Sequence, residues 1–223
     1  MSTAPGRLLA DPAWVAARIG EMSRAWGTET PRVGATLWWC MVASALVDQI
    51  TTAYATGRPA PLPALDELDC VVRPDGGVER VRFHAFAAET TVGSGTVTDE
   101  ACGAAHEPAV RTETAVGRAL RETLTTVIPQ VAAVSGAAAP ALWAIVSDAI
   151  GNRALDAGAR DAGTELATEV GSRLPTPRFV TLGDRTFVKR ISCCLVYEVP
   201  GATMCTSCPK RPPAERTALL TGA

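Results

Sequence analysis

The chain has 223 residues, 47% apolar and 20% charged, with a formal net charge of −2. This suits a soluble globular fold with a sizeable core, long for one domain and short for two large ones. It gives no global electrostatic case for binding nucleic acid or an anionic membrane.

In chain order, residues 1–10 read as a loose leader. Asp11-Pro12 caps a helix to about Trp26, and Thr30-Pro31 opens a strongly apolar helix through about Ala55, closed by Gly57 and Pro59. Two runs, Leu68–Arg73 and Val78–Phe83, flank Pro74-Asp75-Gly76-Gly77 and predict a hairpin. Gly93–Thr98 reads as a loop or weak strand. Glu107-Pro108 opens a helix to about Ile128, and Ala141–Leu174 reads as one long or two stacked helices with weak points at Gly151 and Gly158. Pro175 and Pro177 mark a boundary, followed by short strands at Phe179–Leu182 and Thr186–Ile191. The expected fold class is α+β. Residues 1–175 form a mainly helical body with a small β-hairpin, and residues 176–223 form a C-terminal module.

Neither apolar run reads as a membrane span. Val33 to Val47 is about fifteen residues and ends at Asp48, below the roughly 20 a span needs. The Ala-rich stretch Val131–Ile150 is interrupted by Ser135, Gly136, Pro140 and Asp148. The expectation is no transmembrane segment, with peripheral membrane contact left open. The five tryptophans fall on predicted helices. Trp38 and Trp39 cannot face one side, which points one of them toward a cleft or interface.

Phosphate-cradling P-loops, G-x-G-x-x-G and G-x-S-x-G are all missing, so a nucleotide site or serine-hydrolase chemistry is not supported. The two histidines, His84 and His106, leave few acid–base candidates, and His84 reads as a structural residue near a strand end.

Chemistry concentrates in the cysteines. Of seven, Cys193, Cys194, Cys205 and Cys208 form C-C-x10-C-x2-C. Four gathered thiolates make a soft-metal site, either an iron–sulfur cluster or structural zinc. Leu195–Val199 reads as a strand and Pro200-Gly201 as a turn, so a hairpin would return Cys205 and Cys208 to Cys193 and Cys194. Consecutive side chains on a regular strand point to opposite faces. The backbone at 193–194 must therefore kink, or each sulfur must bind a different iron. That favours iron–sulfur over zinc, whose structural sites more often use two separated knuckles. A disulfide between neighbours is weaker still, because adjacent Cα atoms lie only about 3.8 Å apart. Cys40, Cys70 and Cys102 lack ligand spacing. Cys40 reads as a buried small hydrophobe, and Cys102 stands four residues before His106.

The segment Arg178–Arg216 holds seven basic residues against Asp184, Glu198 and Glu215. Such cations would stabilise an anionic tetrathiolate site or dock an acidic donor or anionic chelate. A solvated basic tail is the alternative reading.

The run Arg190-Ile191-Ser192-Cys193-Cys194-Leu195, with Tyr197, Gly201, Cys205, Cys208 and Pro209, resembles the C-terminus of the FhuF-like ferric-siderophore reductase family. Upstream the likeness is diffuse, resting on Ala141-Leu142-Trp143. Ala144-Ile145 stand where many relatives carry a small polar pair. The resemblance implies a [2Fe–2S] cluster on Cys193, Cys194, Cys205 and Cys208, with no catalytic residue beyond these ligands. It implies an oxidoreductase that reduces a ferric siderophore, expected to be of hydroxamate type, by one electron and releases Fe(II) in the cytoplasm. The expected partners are the ferric siderophore and an electron donor such as a ferredoxin or flavin reductase. Lys189 and Arg190 are expected to tune the cluster's charge, and Lys210 and Arg211 to dock substrate or donor. A zinc-stabilised binding module and a non-catalytic iron–sulfur sensor are the alternatives. The absence of a signal-like start and the reducing conditions that thiolate ligands require place the expected compartment in the cytoplasm.

Overall fold

The computed structural model describes residues 1–87 and 114–222. These residues form a mainly helical fold with small antiparallel sheets. Strand β1 (Ser2–Pro5) leads to helix α1 (Pro12–Trp26), where the Asp11 carboxylate accepts from the N–H groups of Ala13 and Trp14 at 2.8 and 3.3 Å. This N-cap satisfies donors the helix cannot. The N-terminus is therefore not a loose leader. It pairs antiparallel with β2 (Leu68–Val72), and Leu9 is buried behind it. The stretch lacks strand-like alternation, and its partner residues lie 64 to 70 positions on, which is why local pattern missed it. Strand β3 (Val78–Phe83) completes the three-stranded sheet, as the turn residues predicted.

Helix α2 (Pro31–Thr56) is the axis of the fold, packed against α1, β3, α4 and α5. It runs over the span that Thr30-Pro31 and Gly57 bracket in the sequence. Its length and mean hydropathy of 1.3 over 18 residues would suffice to cross a membrane, and 67% of that window is buried within the fold. A helix enclosed on nearly all sides is apolar all round for the same reason a membrane span is. Trp38 and Trp39 are both fully buried, so neither lines a cleft or surface. Trp38 donates to the Gly76 carbonyl at 3.0 Å on the hairpin side, and Trp39 to the Leu142 carbonyl at 2.9 Å on the α4 side. A helix covered on two opposite faces has room for both rings.

Helix α3 (Ala115–Ser135) continues past Pro129, beyond the expected end at Ile128. Pro129 and Thr125, whose carbonyl loses its partner, both face solvent, while Leu124, Val127, Ile128 and Val131 carry the buried stripe through. The expected helix start at Glu107-Pro108 and the Gly93–Thr98 loop lie outside the described residues. Next come two helices rather than one, α4 (Ala139–Asp156) and α5 (Arg160–Val170), broken at Gly158 with φ +70°. A small hairpin follows, β4 (Phe179–Leu182) and β5 (Arg185–Val188). Gly151 lets α4 approach it: a Cβ there would sit 3.2 Å from Pro177 and 3.3 Å from Val188. Helix α6 (Pro213–Thr221), which the sequence reading did not predict, ends the described chain against β4.

Candidate metal centre

The cysteine segment does not fold as a β-hairpin. Leu195, directly after the cysteine pair, adopts the left-handed conformation (φ +61°, ψ +12°), and it is the one non-glycine residue with positive φ among the described residues. A 3₁₀ turn over Val196–Glu198 follows, then a reversal at Gly201 with φ +76°. The expected kink is thus supplied one residue later, at Leu195. The compact turn closes the loop instead of a pair of strands. Leu195 and Val199 are buried in the main hydrophobic core, which offsets the local strain. Arg32 of α2 binds the Glu198 carboxylate at 2.8 Å and ties the turn to the body.

The loop brings the ends of the motif together. The sulfurs of Cys193 and Cys208 lie 3.8 Å apart. Two thiolates on one tetrahedral metal with bonds of about 2.3 Å are separated by about 3.8 Å, so this pair already spans one edge of a coordination tetrahedron. Among the described residues, no group of three His, Cys, Asp or Glu side chains stands ready around one point. Structural zinc needs four ligands at one centre. A two-iron cluster needs only two at each iron. Four motif thiols, two of them 3.8 Å apart, suit a soft, thiophilic metal group. Burial raises the thiols of Cys193 and Cys205. For Cys193 the contact with Cys208 adds to this, and for Cys205 the neighbouring Cys194 and Cys208 do. Such a set is unfavourable as bare thiolates and would be relieved by a bound cation.

Cations already face the motif. Arg190 Nη1 stands 3.6 Å from the Cys205 sulfur and lowers the pKa of that thiol against the burial effect. Its Nε lies 3.5 Å from Asp148 without hydrogen-bond alignment. Arg211 donates to the carbonyls of Cys205 at 3.0 Å and Met204 at 2.6 Å and pairs with Glu215, so it holds the second cysteine loop. Lys210 bonds the Tyr197 hydroxyl, with its ammonium 4.9 Å from that ring's centre. The Lys189 side chain is exposed, and its backbone N–H extends the hairpin by donating to Arg178 at 2.8 Å.

The residue that sequence reasoning missed is Asp148. It appeared only as an interruption of an apolar helix, yet it is 4% exposed on α4. Its carboxylate accepts from the backbone N–H groups of Ile191 at 3.0 Å and Ser192 at 2.9 Å, and from the Ser192 hydroxyl at 2.5 Å. The segment entering the cysteine pair is therefore clamped to α4. The available signal was a carboxylate inside a helix apolar all round, which burial obliges to find donors. Cys40 was also under-read. It lines the space beside Cys194, and burial pushes its thiol up to about 12, with Cys194 adding to the effect. Cys70 is buried on β2, and Cys102 and His106 lie outside the described residues. His84 is 3.0 Å from Asp69 across the β2–β3 pair.

Residues 190–210 match the FhuF 2Fe-2S C-terminal domain. The matched FhuF-type segment contains all four motif cysteines together with Arg190, Ser192, Leu195 and Lys210. It begins at the residue that bridges Asp148 and Cys205. No curated protein matches the chain.

Proposed function

We propose that this protein is a ferric-siderophore reductase. Ferric iron held by an oxygen-donor chelate gains one electron, becomes ferrous, and leaves a ligand set that binds it far less tightly. A [2Fe–2S] group on Cys193, Cys194, Cys205 and Cys208, when bound, supplies the single electron. The chain's own residues do the rest. Asp148 fixes the approach to the cysteine pair, Arg190 balances thiolate charge at Cys205, Arg211 holds the second cysteine loop, and buried Leu195 anchors the turn that returns the chain toward Cys193. No proton donor is required, in keeping with a site lined by thiols, arginines and one clamped carboxylate. A hydroxamate chelate, a ferredoxin- or flavin-type donor and a cytoplasmic setting complete the reading.

The observation that carries it is the FhuF-type segment, with the Cys193 and Cys208 sulfurs 3.8 Å apart and an arginine on the Cys205 sulfur. The test is anaerobic purification with iron and sulfide counted per chain, visible and EPR spectra, and then mixing of the reduced protein with ferric hydroxamates. The reading predicts about two irons and two sulfides per chain and stoichiometric reoxidation with release of Fe(II). A colourless zinc protein, or a cluster that no ferric chelate oxidises, overturns it.

A further inference from the structure

Two cavities of about 440 and 210 Å³ adjoin between α2, α4 and the β2–β3 hairpin. Cys40, Ser44 and Arg153 line both, so they form one cleft. The inner end is walled by Asp148, Arg190, Ser192 and Cys194. The outer end carries Arg73 and Arg80 with Asp48 and Glu79. The two volumes together fall within the range of roughly 300–1,000 Å³ of small-molecule sites. One candidate cluster ligand, Cys194, thus borders a space large enough for a chelate, while α2 and α4 close it from the sides.

The polar atoms of the wall suggest what it takes. The Nε groups of Arg153 and Arg190 are buried and have no hydrogen-bond partner in the structure. The other contacts of Arg153 are long ion pairs, 3.5 Å to Asp48 and 3.3 Å to Asp156. Buried donors left unpaired are rare and are normally met by a ligand or water. Both lie on walls of the same cleft, and both would be satisfied by acceptor oxygens.

We propose that this cleft is the substrate seat. It would hold a ferric chelate of oxygen-rich outer surface, neutral to anionic, with its outer oxygens on Arg153 and Arg190 and its iron toward the Cys194 end. The proposal rests on the reductase reading above and adds where the chelate binds and what holds it.

A redox-inert probe separates binding from turnover. The gallium(III) complex of a linear trihydroxamate would be titrated into cluster-loaded protein, with binding followed by tryptophan fluorescence or calorimetry. Ser44→Phe fills the junction of the two cavities, and Arg153→Gln removes the outer guanidinium. Each variant is expected to weaken gallium-chelate binding at least tenfold and to raise KM for the ferric complex, while iron content and the EPR spectrum stay as in wild type. If both variants bind the gallium complex as tightly as wild type, the seat lies elsewhere and the reductase reading stands. If wild type neither binds the gallium complex nor is oxidised by the ferric one, the reductase reading falls and the seat with it.

Discussion

Replacing Asp148 by Ala tests whether the clamp on α4 holds the cysteine segment. The carboxylate is almost completely buried and takes three hydrogen bonds, from the Ile191 and Ser192 amides and the Ser192 hydroxyl, besides facing Arg190 at 3.5 Å. Removing it orphans those donors at about 1–3 kcal/mol each and leaves a largely buried guanidinium unpaired. Breaking a buried ion pair from one side costs about 3–5 kcal/mol. The two descriptions overlap, so the expected total is about 3–5 kcal/mol. For a chain of this size that corresponds to a fall in Tm of about 6–20 °C. The Asn variant keeps one acceptor oxygen and should lose less. The assay is thermal unfolding of the cluster-loaded protein, with iron counted before and after. Because Arg190 becomes the unpaired partner, Asp148→Ala combined with Arg190→Met should be more stable than the sum of the single changes. A Tm within about 2 °C of wild type, with full iron content, would refute the clamp.

The remaining predictions concern the ligands and the turn. Cys205→Ser should deplete iron and sulfide and abolish the EPR signal of the reduced protein; an unaltered spectrum removes Cys205 from the ligand set. Leu195→Val places a β-branched residue where φ is +61°, a conformation such residues rarely adopt. It should destabilise by about 1–3 kcal/mol and make the cluster labile to chelators, and iron retention equal to wild type would count against the kink as the device that gathers the sulfurs. The Cys70 thiol is pushed up to about 12, chiefly by burial and then by Asp69. The folded state therefore holds its proton while the unfolded chain loses it near pH 9, so stability falls as pH rises from about 9 toward 12. In denaturant melts against pH, Cys70→Val should flatten that decline, and identical profiles for the two proteins would exclude it.

Much of the fold was legible because local chemistry and the final structure agree. Asp11 and Thr30-Pro31 start helices where they should, Gly57 ends one with a positive φ, and the Pro-Asp-Gly-Gly turn joins two strands. What could not be read is what distant chain supplies. The Ser2–Pro5 strand exists because β2 offers an edge. Helix α3 outruns Pro129 because the proline faces solvent while packing on the opposite face continues. The Leu195–Val199 stretch has β-forming residues, yet it becomes a 3₁₀ turn. Burying Leu195 and Val199 in the core while bringing Cys208 back to Cys193 outweighs a modest propensity.

The site divides along the same line. A motif of four cysteines announces donors, and those donors lie within some sixteen residues of sequence. Arg190, Leu195 and Arg211 condition them from within the module, and the rest comes from elsewhere. Asp148 and Arg153 sit on α4, Cys40 and Ser44 on α2, and the pairing of Cys193 with Cys208 depends on a turn anchored to Arg32. In sequence, α2 and α4 look like plain core helices, because most of their surface is buried and only a few polar positions face the cysteine module. Such positions are where function would be expected in a buried helix. A charged side chain there loses hydration and stability unless it has a task or a partner. Asp148 has the cysteine segment as its partner. Arg153 has long ion pairs and an unsatisfied Nε, and it lines the same cavity as Cys194. That imbalance between two polar residues a turn and a half apart on one helix is the physical reason to look for substrate in the cleft rather than on the exposed basic tail.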